Sequence, residues 1–186
     1  MTTLIVILAL IVALVLYAIT LYNSLVKARQ MVEEGWSGID VQLKRRADLI
    51  PNLVETVKGY ASHEKSTFEE VVNLRNKAQS VASGDVEGRA KAEGELTQAL
   101  GRLFALTEAY PDLKANQNFA DLQDSLETIE GEIQMARRYY NGGVRQYNIK
   151  VETVPSNLIA SRYGFEKAAY FEITDAAERT APKIAF

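Results

Sequence analysis

The sequence predicts an all-α protein, with one N-terminal transmembrane helix continuing into an elongated antiparallel helical bundle of about four long helices. Three observations predict it. Leu4–Tyr22 is an unbroken apolar run without a charged residue, Gly or Pro. Beyond it, apolar residues recur at gaps of three and four, which is the period of a helix face and not the alternation of a strand. Only four prolines, at 51, 111, 155 and 182, interrupt 186 residues that are rich in good helix formers.

The run Leu4–Tyr22 holds 19 residues, with Thr20 as its one clearly polar side chain. At ~1.5 Å per residue it is roughly 28 Å long, close to the hydrocarbon thickness of a bilayer. Tyr17 and Tyr22 stand toward the end where amphipathic rings favour headgroups. A cleaved signal peptide would carry Lys or Arg before the run and a small-residue site after it. Neither is present, and NSLVKARQ follows. A buried core helix would need apolar surroundings that the rest of the chain does not supply. Lys27, Arg29, Lys44, Arg45 and Arg46 follow the span, and Met1–Thr3 precede it. Positive flanks stay cytoplasmic. The expected topology is therefore a single membrane crossing, with the N-terminus outside and the body in the cytoplasm.

Leu25, Val32, Trp36, Ile39, Leu43, Ile50, Val54 and Val57 carry the stripe onward in phase. This predicts one helix that leaves the bilayer without a break. Gly35 and Gly38 flank Trp36. Each lowers helix propensity by roughly 1 kcal/mol, but a small residue also lets a second helix come close. Trp36, roughly 21 Å of rise beyond Tyr22, reads as a packing residue and not a headgroup anchor. Pro51 has no amide hydrogen. The stripe keeps phase across it, so a kink is expected in preference to a break near Leu49. Arg45, Arg46 and Asp48 lie beside the apolar face. They read as solvated charges whose stems cover the core edge, in preference to a partly buried Arg–Asp pair.

A turn is expected within Tyr60–Glu64 or just after it. Ser66 with Glu69 fits a capping box for a helix carrying Phe68, Val71, Val72, Arg75, Ala78 and Val81, and a continuation of the preceding helix fits this segment equally. Ser83-Gly84-Asp85 ends or bends it. Arg89–Tyr110 is a further amphipathic helix, stopped by Tyr110-Pro111-Asp112 and followed by a polar loop with Asn118 as expected N-cap. From Phe119 to Val154 eleven apolar residues follow one another at gaps of three or four, a coiled-coil-like pattern. They predict a helix of some 36 residues, ended by Pro155. Asn141-Gly142-Gly143 weakens its middle by roughly 2 kcal/mol. A short helix from Ser156 and an irregular or extended piece through Ile173 should fold back on the bundle. The expected divisions are a tail at 1–3, the membrane helix at 4–22, the bundle domain at 23–173 and a loose tail at 174–186.

The chemistry-bearing residues are few. Twenty-four acids against 21 bases give a net charge of −3, with no electrostatic footprint for nucleic acid. Without Cys there is no disulfide framework or thiolate chemistry. The single His, His63, precedes Glu64, but Thr67 breaks the H-E-x-x-H pattern. Glu69/Glu70 and the series Glu127, Glu130, Glu132 lack the His partners of a di-metal carboxylate bundle, and read as a solvated acidic face. No phosphate-binding loop, dinucleotide fingerprint or nucleophile elbow occurs. Arg137–Asn141 with Gln146–Asn148 concentrates polar and aromatic side chains. The preferred reading is helix packing with tyrosine hydroxyls satisfied at the bundle surface, and the alternative is a protein-contact patch. No catalytic, cofactor-binding or metal-binding residue is singled out, and no cofactor is expected.

Several stretches together carry a resemblance. The segment from Tyr22 to Glu64, the segment GELTQALGRLFALTEAYPDLKANQNF from Gly94, LQDSLETIEGEIQMARRYYN, VRQYN and PSNLIASRYGF resemble the LemA family of bacterial membrane proteins. The likeness runs from about Tyr22 to Phe171, and Gly94 departs from it where an asparagine is typical. The resemblance implies an N-terminal anchor and an elongated antiparallel helical bundle, and it implies no established catalytic residue, cofactor or substrate. The expected function is a membrane-anchored scaffold without catalytic activity. Its expected partners are the lipid bilayer, further copies of itself and possible other membrane proteins, with no nucleic acid and no small-molecule substrate. The alternative is an accessory subunit or adaptor of a membrane-bound protease.

Overall fold

The computed structural model describes residues 1–172. The expected loose tail at 174–186 lies outside them. Among the described residues the elements are α1 (Thr2–Lys58), α2 (Lys65–Ser80), α3 (Val86–Thr107), α4 (Pro111–Lys114), α5 (Gln117–Glu152) and α6 (Ser156–Tyr163). The fold is all-α, and α1, α2, α3 and α5 are its four long helices. The chain divides into two units, Met1–Ile39 with Ala136–Ala169, and Asp40–Met135 with the chain from Tyr170.

In the first unit α1 runs without interruption through Tyr22–Val32, as the absence of Gly and Pro there requires. Its large apolar side chains from Leu4 to Ile19 are 49–73% exposed. From Leu25 onward the helix instead buries a stripe of Leu25, Ala28, Val32 and Ile39. Against it lie Tyr140, Val144 and Tyr147 of α5, also buried. The two helices are antiparallel, since Gly35 meets Tyr140, Gly143 meets Met31 and Val32, and Lys150 meets Ser24. Gly35 is where the backbones come closest. A Cβ there would stand 3.0 Å from the Cα of Tyr140. The local propensity loss at this glycine is the cost of that approach. α5 keeps its helix through Asn141-Gly142-Gly143 because Val144 and Tyr147, just beyond, are fully packed.

The second unit is an up-down-up-down arrangement. Asp40 faces Arg89 and Arg46 faces Glu93, so α1 and α3 run parallel. Lys77–Glu95 and Glu70–Arg102 make α2 antiparallel to α3, and Arg45–Glu132 with Arg46–Glu130 fits α5 antiparallel to α1. The core includes Ile50, Leu53, Val57, Val71, Leu96, Leu103, Phe119 and Leu126. α1 continues through Pro51 to Lys58, with no break near Leu49.

Three helix starts differ from expectation. α2 begins at Lys65 with Glu64 in the cap position and no side-chain cap bond, so Ser66 lies inside the helix and forms no capping box. α3 begins at Val86 and not Arg89, because the Asp85 carboxylate accepts the Gly88 amide at 2.8 Å and satisfies one of the open donors. α3 ends at Thr107, short of Tyr110, and Pro111 opens the single-turn α4 where its missing amide costs nothing. The cap of α5 is Asn116 and not Asn118: its Oδ1 accepts the Phe119 amide at 3.1 Å.

Candidate functional site

Two side-chain assemblies stand out, one in each unit. In the second unit Arg46 is 2% exposed, which corrects the expectation of a solvated charge. Its partner is not Asp48, which faces Lys44 in solvent at 3.6 Å. Two residues along a helix is the wrong spacing to share a face. Arg46 instead donates to Glu93 Oε2 at 2.7 Å, Glu130 Oε2 at 2.6 Å and Thr97 Oγ1 at 2.9 Å. Arg89 donates to Glu93 Oε1 at 2.8 Å, and Thr97 donates onward to the Glu93 carbonyl at 2.9 Å. Two cations meet two carboxylates here, and Asp40, more than half exposed, stands 3.6 Å from Arg89 at the edge. The expectation of a solvated acidic face is thereby corrected for Glu130, which binds the buried Arg46, while Glu132 pairs with the half-exposed Arg45 at the surface. Glu127, Glu69 and Glu70 remain exposed.

A sequence signal for this cluster existed. Arg46 stands three residues after Leu43 and four before Ile50, and Glu93 stands three before Leu96. Both occupy stripe positions that burial reserves for apolar residues. Charges on two such stripes can only be buried as a pair. All four carboxylate oxygens accept hydrogen bonds, so the cluster ties α1, α3 and α5 together at one level of the unit.

In the first unit the assembly surrounds the exit of the apolar run. Tyr22 packs edge-on against Tyr163 at 5.0 Å and Phe165 at 5.6 Å. Arg29 lies 5.3 Å over the Phe165 ring and pairs with Glu33 at 3.7 Å. Lys150 donates to Ser24 Oγ at 2.7 Å. From Gly164 the chain runs as an extended strap along α5. Asn148 holds it with both ends of its amide, donating to the Ala168 carbonyl at 3.0 Å and accepting the Ala168 amide at 2.9 Å. Tyr140 donates to the Ala169 carbonyl at 2.8 Å. Burial pushes the Tyr140 hydroxyl above the usual phenol range. Burial does the same at Tyr147, with Glu166 and Glu33 adding to the rise and the nearby Arg29 opposing it.

This places the Arg137–Asn148 aromatic stretch. Tyr140, Tyr147 and Asn148 are packing residues as expected, but inside the unit and not at its surface. Trp36 tilts against Tyr140 at 5.7 Å, the packing role expected of it. His63 is exposed in the Gly59–Glu64 turn region. Among the described residues no three His, Asp or Glu side chains stand together as a metal-binding group.

The family model for LemA matches residues 35–186. The chain belongs to the LemA family. Magnetosome proteins MamQ 1 and MamQ 2 of Paramagnetospirillum magneticum are each 27% identical over 175 residues, covering 81% of this chain and 64% of their own length. Protein LemA of Metamycoplasma hominis is 24% identical over 155 residues, covering 82% of this chain and 69% of that protein. The chain thus spans about 64% of the length of the magnetosome relatives it matches. As a LemA family member it is a helical, membrane-associated protein, and α1 supplies the one helix among the described residues that is long and apolar enough to cross a membrane.

Proposed function

We propose that this protein is a single-pass, membrane-anchored helical scaffold that associates with further copies of itself, its body in the cytoplasm. The observation that carries this is the uncovered apolar band from Leu4 to Ile19, on a helix that buries its next stripe normally from Leu25. A sleeve of apolar surface that long requires lipid or other apolar helices around it. The orientation rests on Lys27 and Arg29 just past the band. Relatives named as magnetosome proteins support a part in a larger structure.

The test is fractionation of the full chain beside a Leu8→Lys, Val12→Lys variant. Each buried lysine costs about 2.5–3.5 kcal/mol at a bilayer centre. The wild type should stay with membranes through alkaline extraction and the variant should be released. Cross-linking in those membranes should give a ladder of oligomers. Strict monomers at every protein density would overturn self-association, and a body protected from protease at the cytoplasmic side would overturn the orientation.

A further inference from the structure

Helix α6 packs against the end of the apolar run and not beyond it. Its Ile159 and Tyr163 line an apolar notch of about 370 Å³ together with Val15, Ala18, Ile19 and Tyr22. Val15 precedes Tyr22 by seven residues, so this contact covers roughly 10 Å of rise inside the run. Suppose α6 were kept clear of the bilayer. The embedded part of the run would then stop at Leu14, leaving Leu4–Leu14 at roughly 16 Å, about half the hydrocarbon thickness. The full thickness is reached only if α6 and the bilayer share the zone beside Val15–Tyr22.

The outward side of this segment suits that zone. Val154 is 79% exposed and Leu158 67%, while Tyr163, 62% exposed, sets its ring against Tyr22 of the anchor. No Asp or Glu occurs from Val154 to Tyr163. Its one charge, Arg162, lies 5.9 Å from the Tyr163 ring on a stem long enough to carry the guanidinium to the headgroups. Apolar and aromatic side chains with a lone cation are what an interfacial segment needs.

We propose that Val154–Tyr163 is a second membrane contact, a short wedge seated in the headgroup region against the anchor helix. The proposal rests on Leu4–Tyr22 being membrane-embedded, and the experiment separates the two. The chain has no Cys, so single cysteines can be placed and labelled with a polarity-sensitive fluorophore. Leu10→Cys probes the anchor, Leu158→Cys the wedge, and Tyr139→Cys a site beside Gly35, roughly 20 Å of rise past Tyr22. Each full-length variant is reconstituted in phosphatidylcholine–phosphatidylglycerol vesicles carrying spin-labelled quencher lipids, with the quencher either shallow or deep. The label at 10 should be quenched by deep lipids. The label at 158 should shift to the blue and lose fluorescence to shallow lipids, and the label at 139 should do neither. An unquenched label at 158 beside a quenched one at 10 overturns the wedge alone. A blue-shifted but unquenched label at 158, reverting when the protein is diluted into more lipid, assigns that face to a second copy and also overturns it. An unquenched label at 10 overturns the anchor, and the wedge with it.

Discussion

The Arg75 side chain donates its Nε–H to the carbonyl of Ala47 at 2.8 Å. Ala47 is four residues before Pro51, so its carbonyl is the one that a proline cannot serve. A guanidinium from α2 replaces the missing backbone donor of α1, and the helix passes through Pro51 with that acceptor satisfied. Removing Arg75 with Arg75→Met should cost about 1.5–3 kcal/mol, the range for a charge-assisted bond. In a Pro51→Ala background the amide of residue 51 can take the carbonyl, and most of that cost should vanish. Denaturant melts of the four proteins of the cycle would measure the coupling. An equal cost in both backgrounds would mean that the two residues act independently.

The Arg46 cluster makes an asymmetric prediction. Arg46→Ala leaves Glu93 buried without its principal cation, and should cost about 3–5 kcal/mol. Arg46→Met with Glu93→Met removes the two most deeply buried charges, leaving Glu130 a third exposed and Arg89 beside Asp40, so it should recover part of that stability. If the double variant is as unstable as the single one in chemical denaturation, the loss comes from packing and not from an unpaired charge.

The two glycines beside Trp36 should respond in opposite ways. At Gly35 an added methyl meets the Tyr140 backbone at 3.0 Å, while at Gly38 it meets nothing within 4 Å. Gly35→Ala should destabilise by about 1–3 kcal/mol through overpacking. Gly38→Ala should stabilise by up to about 1 kcal/mol through helix propensity. Thermal melts of the two variants decide the matter, and a shift of equal sign in both would remove the close approach from the account.

Tyr140 predicts how stability responds to alkali. Its folded pKa is raised from an ordinary value of 10.0. A group raised on folding contributes stability that is intact below the unfolded pKa and is lost as pH climbs through the folded one. Stability should therefore fall above about pH 10 as the unfolded phenol ionises first. Tyr140→Phe keeps the ring, loses the bond to the Ala169 carbonyl at about 1 kcal/mol, and should flatten this decline. Urea midpoints from pH 8 to 11 for both proteins would show it. Parallel curves would exclude Tyr140 as the titrating group.

What sequence could reveal here was periodicity and punctuation. The stripe from Phe119 to Val154 specified α5 closely, and Pro155 marked its end, because both effects are local to the helix. The junction at Tyr22–Val32 was readable for the same reason. Helix starts were misplaced at Ser66, Arg89 and Asn118 because several cap-competent residues stood side by side, and tertiary packing chose between them. The Arg46 cluster was missed because a charge on an apolar stripe has meaning only beside its counterpart 47 residues away. The strap residues carry no periodic signal, since they are held by side chains of another element.

The strap is recognised by its main chain. Asn148 and Tyr140 bond to the amide and carbonyl of Ala168 and to the carbonyl of Ala169, and to no side-chain atom there. Hydrogen bonding therefore asks nothing of the side chains at 168 and 169, where partial burial alone limits size, proline at 168 excepted because it would remove the donor. The constraint is transferred to the other party: Asn148 must keep both a donor and an acceptor at one tip, and aspartate lacks the donor while leucine lacks both. Heredity can therefore edit the strap and must preserve its clasp.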